Sequence, residues 1–74
     1  MSRPSFYQRS IAEILARTGN IGIDPRHVEA YMRLTYGTLD ALSKATFARE
    51  TREAVIDINA DPRLAERLAV SYGL

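Results

Sequence analysis

The sequence predicts an all-α fold: a compact bundle of about four short helices over residues 5–18, 25–36, 43–60 and 62–72. Two observations carry this prediction. A helix-start signal, either a serine or an Asp-Pro pair, stands at the beginning of each segment. Within each segment, apolar residues recur every three or four positions, which is the spacing of one helix face. Because the whole chain has only 74 residues, we predict a single domain over residues 1–74.

The first predicted helix begins at a capping box and ends at a glycine. In this box the Ser5 hydroxyl can accept a hydrogen bond from the backbone amide of Gln8, and the Gln8 side chain can return one. Gly19 can adopt the left-handed conformation that ends a helix. We expect Ile21 and Ile23, in the following loop, to fold back onto the core. The apolar stripe between the two ends consists of Tyr7, Ile11, Ile14, Leu15 and Thr18.

The second helix is predicted to start at Asp24-Pro25. An aspartate caps free backbone amides, and a proline at the first helical position loses no hydrogen bond because that amide has no helical partner. Glu29 and Arg33 form an i,i+4 ion pair, which we expect on the solvent-exposed face. Gly37 marks the end of this helix. Its core stripe consists of Val28, Tyr31, Met32 and Thr35.

The third helix has the clearest start signal. Ser43 is the predicted N-cap, and Leu42 and Phe47 occupy the two positions of a hydrophobic staple. Residues 38–42, just before it, are predicted to form either one helical turn or the continuation of a kinked second helix. The core face of the third helix consists of Phe47, Thr51, Ala54, Val55 and Ile58.

The fourth helix repeats the start signal of the second. Residues 61–66 (DPRLAE) match residues 24–29 (DPRHVE), and the two openings are 37 positions apart (61 − 24). This match has two explanations, a duplicated helical hairpin or convergence on the same capping residues. Gly73 followed by Leu74 is typical of a Schellman ending. The core stripe of this helix consists of Leu64, Leu68 and Tyr72.

Composition and charge exclude several classes of protein. The chain has no cysteine, so it has no disulfide framework, thiol nucleophile or cysteine-based zinc site. It has no apolar run near the ~18 residues that a membrane span requires, and residues 1–5 lack the apolar core of a secretory signal. We therefore expect no membrane partner and a cytoplasmic location. Ten basic and nine acidic residues give a net charge of +1, far below the excess typical of nucleic-acid-binding domains.

Catalytic and metal sites are predicted to be absent. His27 is the only histidine, and only Asp24, with Glu29 or Glu66, stands at a spacing suited to a shared ligand set. We expect His27 to be exposed in the first turn of its helix. Serine and threonine residues stand where caps and turns explain them, and a domain this small has little room for a pocket that excludes water. We predict that the protein is not an enzyme and uses no metal or cofactor.

A DNA-binding function is the alternative hypothesis. Residues 11–33 have the outline of a helix-turn-helix, in which Arg26 and His27 lead a recognition helix and Arg17 or Arg33 contacts phosphates. The connection between the two helices is longer and more apolar than the usual tight turn. Acidic residues in the second helix and the low net charge also oppose this hypothesis, because they weaken attraction to phosphates.

A protein-interaction module is the favoured hypothesis. Arginine and tyrosine, which are enriched at the energetic centres of interfaces, are abundant in this chain. We predict a partner-binding face at Arg49, Arg52 and Ile56, with Tyr36 and Arg33 as secondary candidates. Such a face could bind a protein partner or a second copy of the chain, since short domains often need extra burial. The apolar residues that fall off the predicted core stripes are Leu34, Tyr36, Ile56 and Val70.

The segment from Tyr31 to Ser43 (YMRLTYGTLDALS), continuing through Phe47 to the final SYGL, carries a resemblance. Over residues 31–74, the chain resembles short uncharacterised helical proteins encoded by phages and prophages of proteobacteria. No catalytic motif accompanies the resemblance, and no functional residue can be transferred through it. The resemblance implies a small accessory factor in a bacterial host, one that blocks a host enzyme or a defence complex.

Overall fold

A computed structural model describes residues 6–20 and 22–72 of the chain. The predicted all-α bundle is confirmed, because the described residues form four helices and no strand. The second and fourth helices have the predicted bounds. The third begins one residue later than predicted, since Ser43 is its N-cap, and the first ends one residue earlier. The helices are α1 (Phe6–Arg17), α2 (Pro25–Tyr36), α3 (Lys44–Ala60) and α4 (Pro62–Tyr72).

Three predicted N-caps are confirmed by side-chain hydrogen bonds. The Asp24 carboxylate accepts a hydrogen bond from the Arg26 amide at 2.9 Å, and Asp61 accepts one from the Arg63 amide at 3.1 Å. The Ser43 hydroxyl accepts one from the amide of Thr46 at 3.2 Å. Each cap satisfies an amide that has no partner inside its helix, which is why the helices start where the local sequence indicates.

Glycines end the first two helices as predicted. Gly37 has φ 77°, and its amide donates to the Arg33 carbonyl at 2.7 Å. Gly19 has φ 75° and forms a Schellman ending, in which the amide of Asn20 donates to the Leu15 carbonyl at 2.8 Å. The predicted capping box at Ser5, the position of Ile21 and the ending at Gly73 lie outside the described residues.

Helix α2 lies at the centre of the bundle and contacts the three other helices. The predicted core face of α3 is confirmed, since Thr51, Ala54, Val55 and Ile58 are buried and Phe47 packs partly buried against them. The one buried hydroxyl on this face, that of Thr51, donates to the Phe47 carbonyl at 2.7 Å and so keeps a hydrogen bond. The fully buried apolar side chains of the other elements are Ile11, Leu15, Val28, Met32, Leu39 and Leu68.

Residues 38–42 differ from the prediction. They form neither a helical turn nor a continuation of α2, but a non-helical turn in which the Leu42 amide donates to the Leu39 carbonyl at 3.2 Å. Leu39 is only 2% exposed and belongs to the core. A single apolar residue in a short connection has no periodicity, so the sequence pattern gave no reason to place it inside.

The Glu29–Arg33 pair forms as predicted, but its expected position on the solvent face is wrong. Arg33 Nη2 lies 3.2 Å from a Glu29 oxygen, yet Glu29 is only 9% exposed. The Gln8 side chain of α1 donates a hydrogen bond to the other carboxylate oxygen at 2.8 Å. Because α1 packs across this face of α2, the carboxylate is buried, and its hydrogen bonds offset the cost of removing it from water.

Candidate protein-binding groove

A long surface groove runs between α1 and α3. It consists of a cavity of about 490 Å³ and a second one of about 210 Å³, and both are lined by Ile14, Thr18 and Arg52. Because the two cavities share these residues, we treat them as one feature, the α1–α3 groove. On the α1 side, its walls are Phe6, Ser10, Glu13, Ile14, Arg17 and Thr18. On the α3 side, they are Lys44, Phe47, Ala48, Arg52, Val55, Ile56 and Asn59, with Leu42 just before the helix.

The groove follows from how the two helices face α2. On α1, Ile11 and Leu15 are buried in the core, which turns the stripe through Ser10, Ile14 and Arg17 towards α3 and solvent. On α3, small Ala48 stands between the core face and the exposed residues, where a larger side chain would fill the gap. A stripe of residues from α1 and a stripe from α3 therefore border a depression and do not pack against each other as core residues do.

Apolar side chains stand in this groove with large exposed areas. Phe6 is 67% exposed at one end, and Ile56 is 65% exposed at the other. Between them, Ile14, Leu42 and Phe47 are half-buried and form the walls of the larger cavity. A single exposed apolar residue is ordinary on a protein surface, but apolar residues gathered along one concave surface mark interaction sites.

The charges around the groove are predominantly positive. Arg17, Lys44 and Arg52 line it, and Glu13 is the one acidic residue among the lining side chains that the structure describes. Arg17 Nε donates to the backbone carbonyl of Glu13 at 3.4 Å, so it does not use the Glu13 carboxylate. Within residues 6–20 and 22–72, neither Lys44 nor Arg52 forms an ion pair. These two cations remain available to carboxylates outside the described chain.

The predicted partner-binding residues divide among three places. Arg52 and Ile56 line the groove, whereas Arg49 turns towards the next residue, with its Nε 3.5 Å from a Glu50 oxygen. Tyr36 of α2 meets the same carboxylate. Hydrogen bonding to Glu50 raises the pKa of Tyr36 to about 12 and lowers the pKa of Glu50. Arg49 and Tyr36 thus form a polar cluster around Glu50 at the α2–α3 boundary.

Arg33 lies in a third place, where it holds α1 on α2. Besides its pair with Glu29, its guanidinium carbon stands 5.6 Å from the centre of the Tyr7 ring, within range of a cation–π interaction. The Tyr7 hydroxyl donates a hydrogen bond to the Asp40 carboxylate, and the centroids of the Tyr7 and Phe47 rings are 5.8 Å apart. This arrangement gives Arg33 a structural role in joining α1, α2 and the following turn.

Sequence reasoning did not indicate that several of these residues line a groove. Ile14 and Phe47 were expected in the core stripes and Leu42 in a helix staple, and Phe6 and Lys44 were not singled out. Periodicity cannot separate a residue at the edge of the core from one in a groove, because both lie on the same side of an amphipathic helix. Phe6, which is off the apolar stripe of α1, was a signal of exposed apolar surface on that wall, as Ile56 was on α3.

The structure also places the four DNA-binding candidates. Arg17 lines the groove, Arg33 is paired with Glu29, and His27 is half-buried. Arg26 forms a close pair with Asp24, with Nη2 2.8 Å from Oδ2, and this guanidinium lowers the pKa of the Asp24 carboxyl. From Pro25 to Arg33, Arg26 is the only exposed residue, so little of the proposed recognition helix is open to a DNA groove.

The described residues contain no group of three or more histidine, aspartate or glutamate side chains that could hold a metal ion. No helix in the described part of the chain has the length and apolar character that a membrane crossing requires. Comparison of the chain with protein-family models, curated proteins and solved structures finds no significant match.

Proposed function

We propose that the protein is a small non-enzymatic interaction factor that binds a protein partner in the α1–α3 groove. The observation that carries this proposal is the groove itself, with exposed Phe6 and Ile56 at its ends. On one wall stand Lys44 and Arg52, which form no ion pair with any described residue. Ligand sites are typically concave and mostly apolar, with a few polar groups that fix orientation. The groove has this character.

The resemblance of residues 31–74 to small phage and prophage proteins supports a narrower version of the proposal. In that version the chain is a phage-encoded inhibitor that acts in the cytoplasm of a bacterial host by occupying a host or defence protein. An inhibitor of this kind needs a binding surface and no chemistry of its own. A helical bundle with a preformed groove meets that need, because a preformed site loses little conformational entropy on binding.

The test compares three variants of the full chain as baits in lysate of the bacterium that carries the gene. Ile56→Asp places a charge at one end of the groove, and Ala48→Arg fills its larger cavity. Val70→Asp is the matched control, because Val70 is 85% exposed and does not line the groove. We expect wild type and Val70→Asp to capture the same protein, identified by mass spectrometry, and both groove variants to lose it.

Circular dichroism of each bait must show the helical spectrum of the wild type before capture is compared. Ile56 is 65% exposed, so its replacement by aspartate should leave the fold intact. Equal capture by all baits, or no capture by the wild type, would contradict binding in the groove. Sedimentation of the purified chain provides a further check, because self-association lost in Ala48→Arg would identify a second copy as the partner.

A further inference from the structure

The groove has the length of a helix-binding site. On α3 its lining extends from Lys44 to Asn59, which corresponds to about 22 Å at the rise of an α-helix. The whole molecule measures only 28 × 25 × 25 Å, so the groove crosses most of one side. A helix of about 15 residues has the same length. One partner helix could therefore lie along the groove between α1 and α3.

The apolar contacts are spaced for such a helix. Phe6, Phe47 and Ala48 line the larger cavity towards one end, Ile14 lines both cavities, and Ile56 stands near the other end. On each wall, two anchors lie eight residues or about two helical turns apart, Phe6 and Ile14 on α1 and Ala48 and Ile56 on α3. An amphipathic helix presents apolar residues at i, i+4 and i+7, and the first and last of these are also about two turns apart, so it matches walls that are themselves helices.

The positive charge of the groove favours a partner helix whose polar face is acidic. Arg17, Lys44 and Arg52 are distributed along it, against a single carboxylate at Glu13. Lys44 and Arg52 have no carboxylate partner among the described residues. A basic helix would bring like charges together in the groove, whereas an acidic one would pair with both cations and gain in binding rate and specificity.

From these observations we infer that the occupant is an acidic amphipathic helix of a partner protein, an assignment that rests on the proposed function of the groove. A second copy of the chain fits less well. Two of the acidic side chains that its α3 would offer are already bound within the monomer, Glu50 to Tyr36 and Asp57 to Tyr31. Nucleic acid also fits less well, because a phosphate backbone held by the three cations would leave the half-buried aliphatic and aromatic walls without apolar contacts.

The test uses two designed peptides of about 16 residues, long enough to span the groove as helices. Both carry leucine at i, i+4 and i+7 spacing, and they differ only in having glutamate or lysine at the remaining positions. Binding of each labelled peptide to the full chain is measured by fluorescence anisotropy at low and at physiological salt. We expect the glutamate peptide to bind at least about tenfold more tightly at low salt, with the preference reduced at higher salt.

Variants of the chain test whether Lys44 and Arg52 cause the preference for the glutamate peptide. The double substitution Lys44→Glu with Arg52→Glu should abolish or reverse the preference for the glutamate peptide. Arg63→Glu is the matched control, since Arg63 is exposed at the start of α4 and does not line the groove. Ala48→Arg should weaken binding of both peptides, because it removes the space that their leucines occupy.

Two results would overturn the inference. The first is equal or tighter binding of the lysine peptide by the wild type. The second is binding of the glutamate peptide that the double variant leaves unchanged. Neither result affects the proposed function, which depends on loss of lysate capture in Ala48→Arg and Ile56→Asp. Conversely, if capture is unaffected by those variants while the peptide preference holds, the groove binds acidic helices but the captured partner uses another surface.

Discussion

Helices α2 and α4 begin with nearly the same six residues and have different surroundings. Both start at an aspartate cap followed by proline and arginine. Helix α2 packs against three helices and buries four residues, whereas α4 contacts only α2 and α3. The difference is clearest at the matched glutamates: Glu29 is buried with Gln8 and Arg33, and Glu66 is exposed. The shared motif therefore sets where a helix starts and not how deeply it is buried.

The largest expected change in stability follows removal of the buried Glu29 side chain, and it tests this difference directly. Glu29→Ala leaves the partner groups on Gln8 and Arg33 without the carboxylate that they bind in a buried environment. We expect it to lower the free energy of unfolding by about 1–3 kcal/mol. The matched substitution Glu66→Ala removes an exposed side chain and should change that free energy by less than about 0.5 kcal/mol.

Urea denaturation followed by circular dichroism measures both variants against the wild type. A conservative third variant, Glu29→Gln, keeps the shape and one acceptor, so its loss should be intermediate. Equal losses for Glu29→Ala and Glu66→Ala would show that the two helices are buried alike, and the comparison would then fail.

A smaller loss of stability is expected when either of the two aspartate caps is replaced by asparagine. Hydrogen bonding to Arg26 holds the pKa of Asp24 below its ordinary value of 3.8. A carboxyl group whose pKa is lowered on folding stabilises the protein above its unfolded pKa, and this contribution is lost as the pH falls through the folded pKa. Asp24→Asn keeps an N-cap but removes the charge. It should therefore destabilise the protein slightly at neutral pH and converge with the wild type as the pH falls below 3.8.

Asp61→Asn is the corresponding change in α4. The nearest guanidinium nitrogen of Arg67 lies 3.8 Å from Asp61, compared with 2.8 Å between Arg26 and Asp24, and both side chains of the α4 pair are more exposed. The neutral-pH loss should thus be smaller for Asp61→Asn than for Asp24→Asn. Thermal unfolding measured at several pH values distinguishes the two, and a larger loss at Asp61 would reverse the expected order.

The caps and stripes of this chain could be predicted because they depend on neighbouring residues. Ser43 and Asp24 bond to amides two or three positions away, and Gly37 needs only its own backbone freedom. Burial of Glu29 could not be predicted, because it depends on α1 lying across α2, a contact between distant parts of the chain. Burial of Leu39 could not be predicted either, because a single apolar residue in a short connection has no periodicity.

The candidate site was predicted less completely than the fold. A helical wheel placed Arg52 and Ile56 outside the core, and both are exposed beside the groove. It also placed Arg49 with them, but a wheel carries no information about Glu50 and Tyr36, which meet Arg49 at the α2–α3 boundary. A groove forms between two helices, so the pattern within either one does not reveal it.

The smallest expected effect concerns DNA. If α2 were a recognition helix, its first two turns would have to enter the major groove, but only Arg26 is exposed between Pro25 and Arg33. That arginine is already paired with Asp24, whose negative charge would also approach the phosphates. We expect no gel shift of duplex DNA at low salt and no change on Arg26→Ala. A shift that weakens steeply with salt and disappears in Arg26→Ala would instead mean that α2 opens away from its neighbours to bind DNA. In that case the difference in burial between α2 and α4 would hold only for the unbound protein.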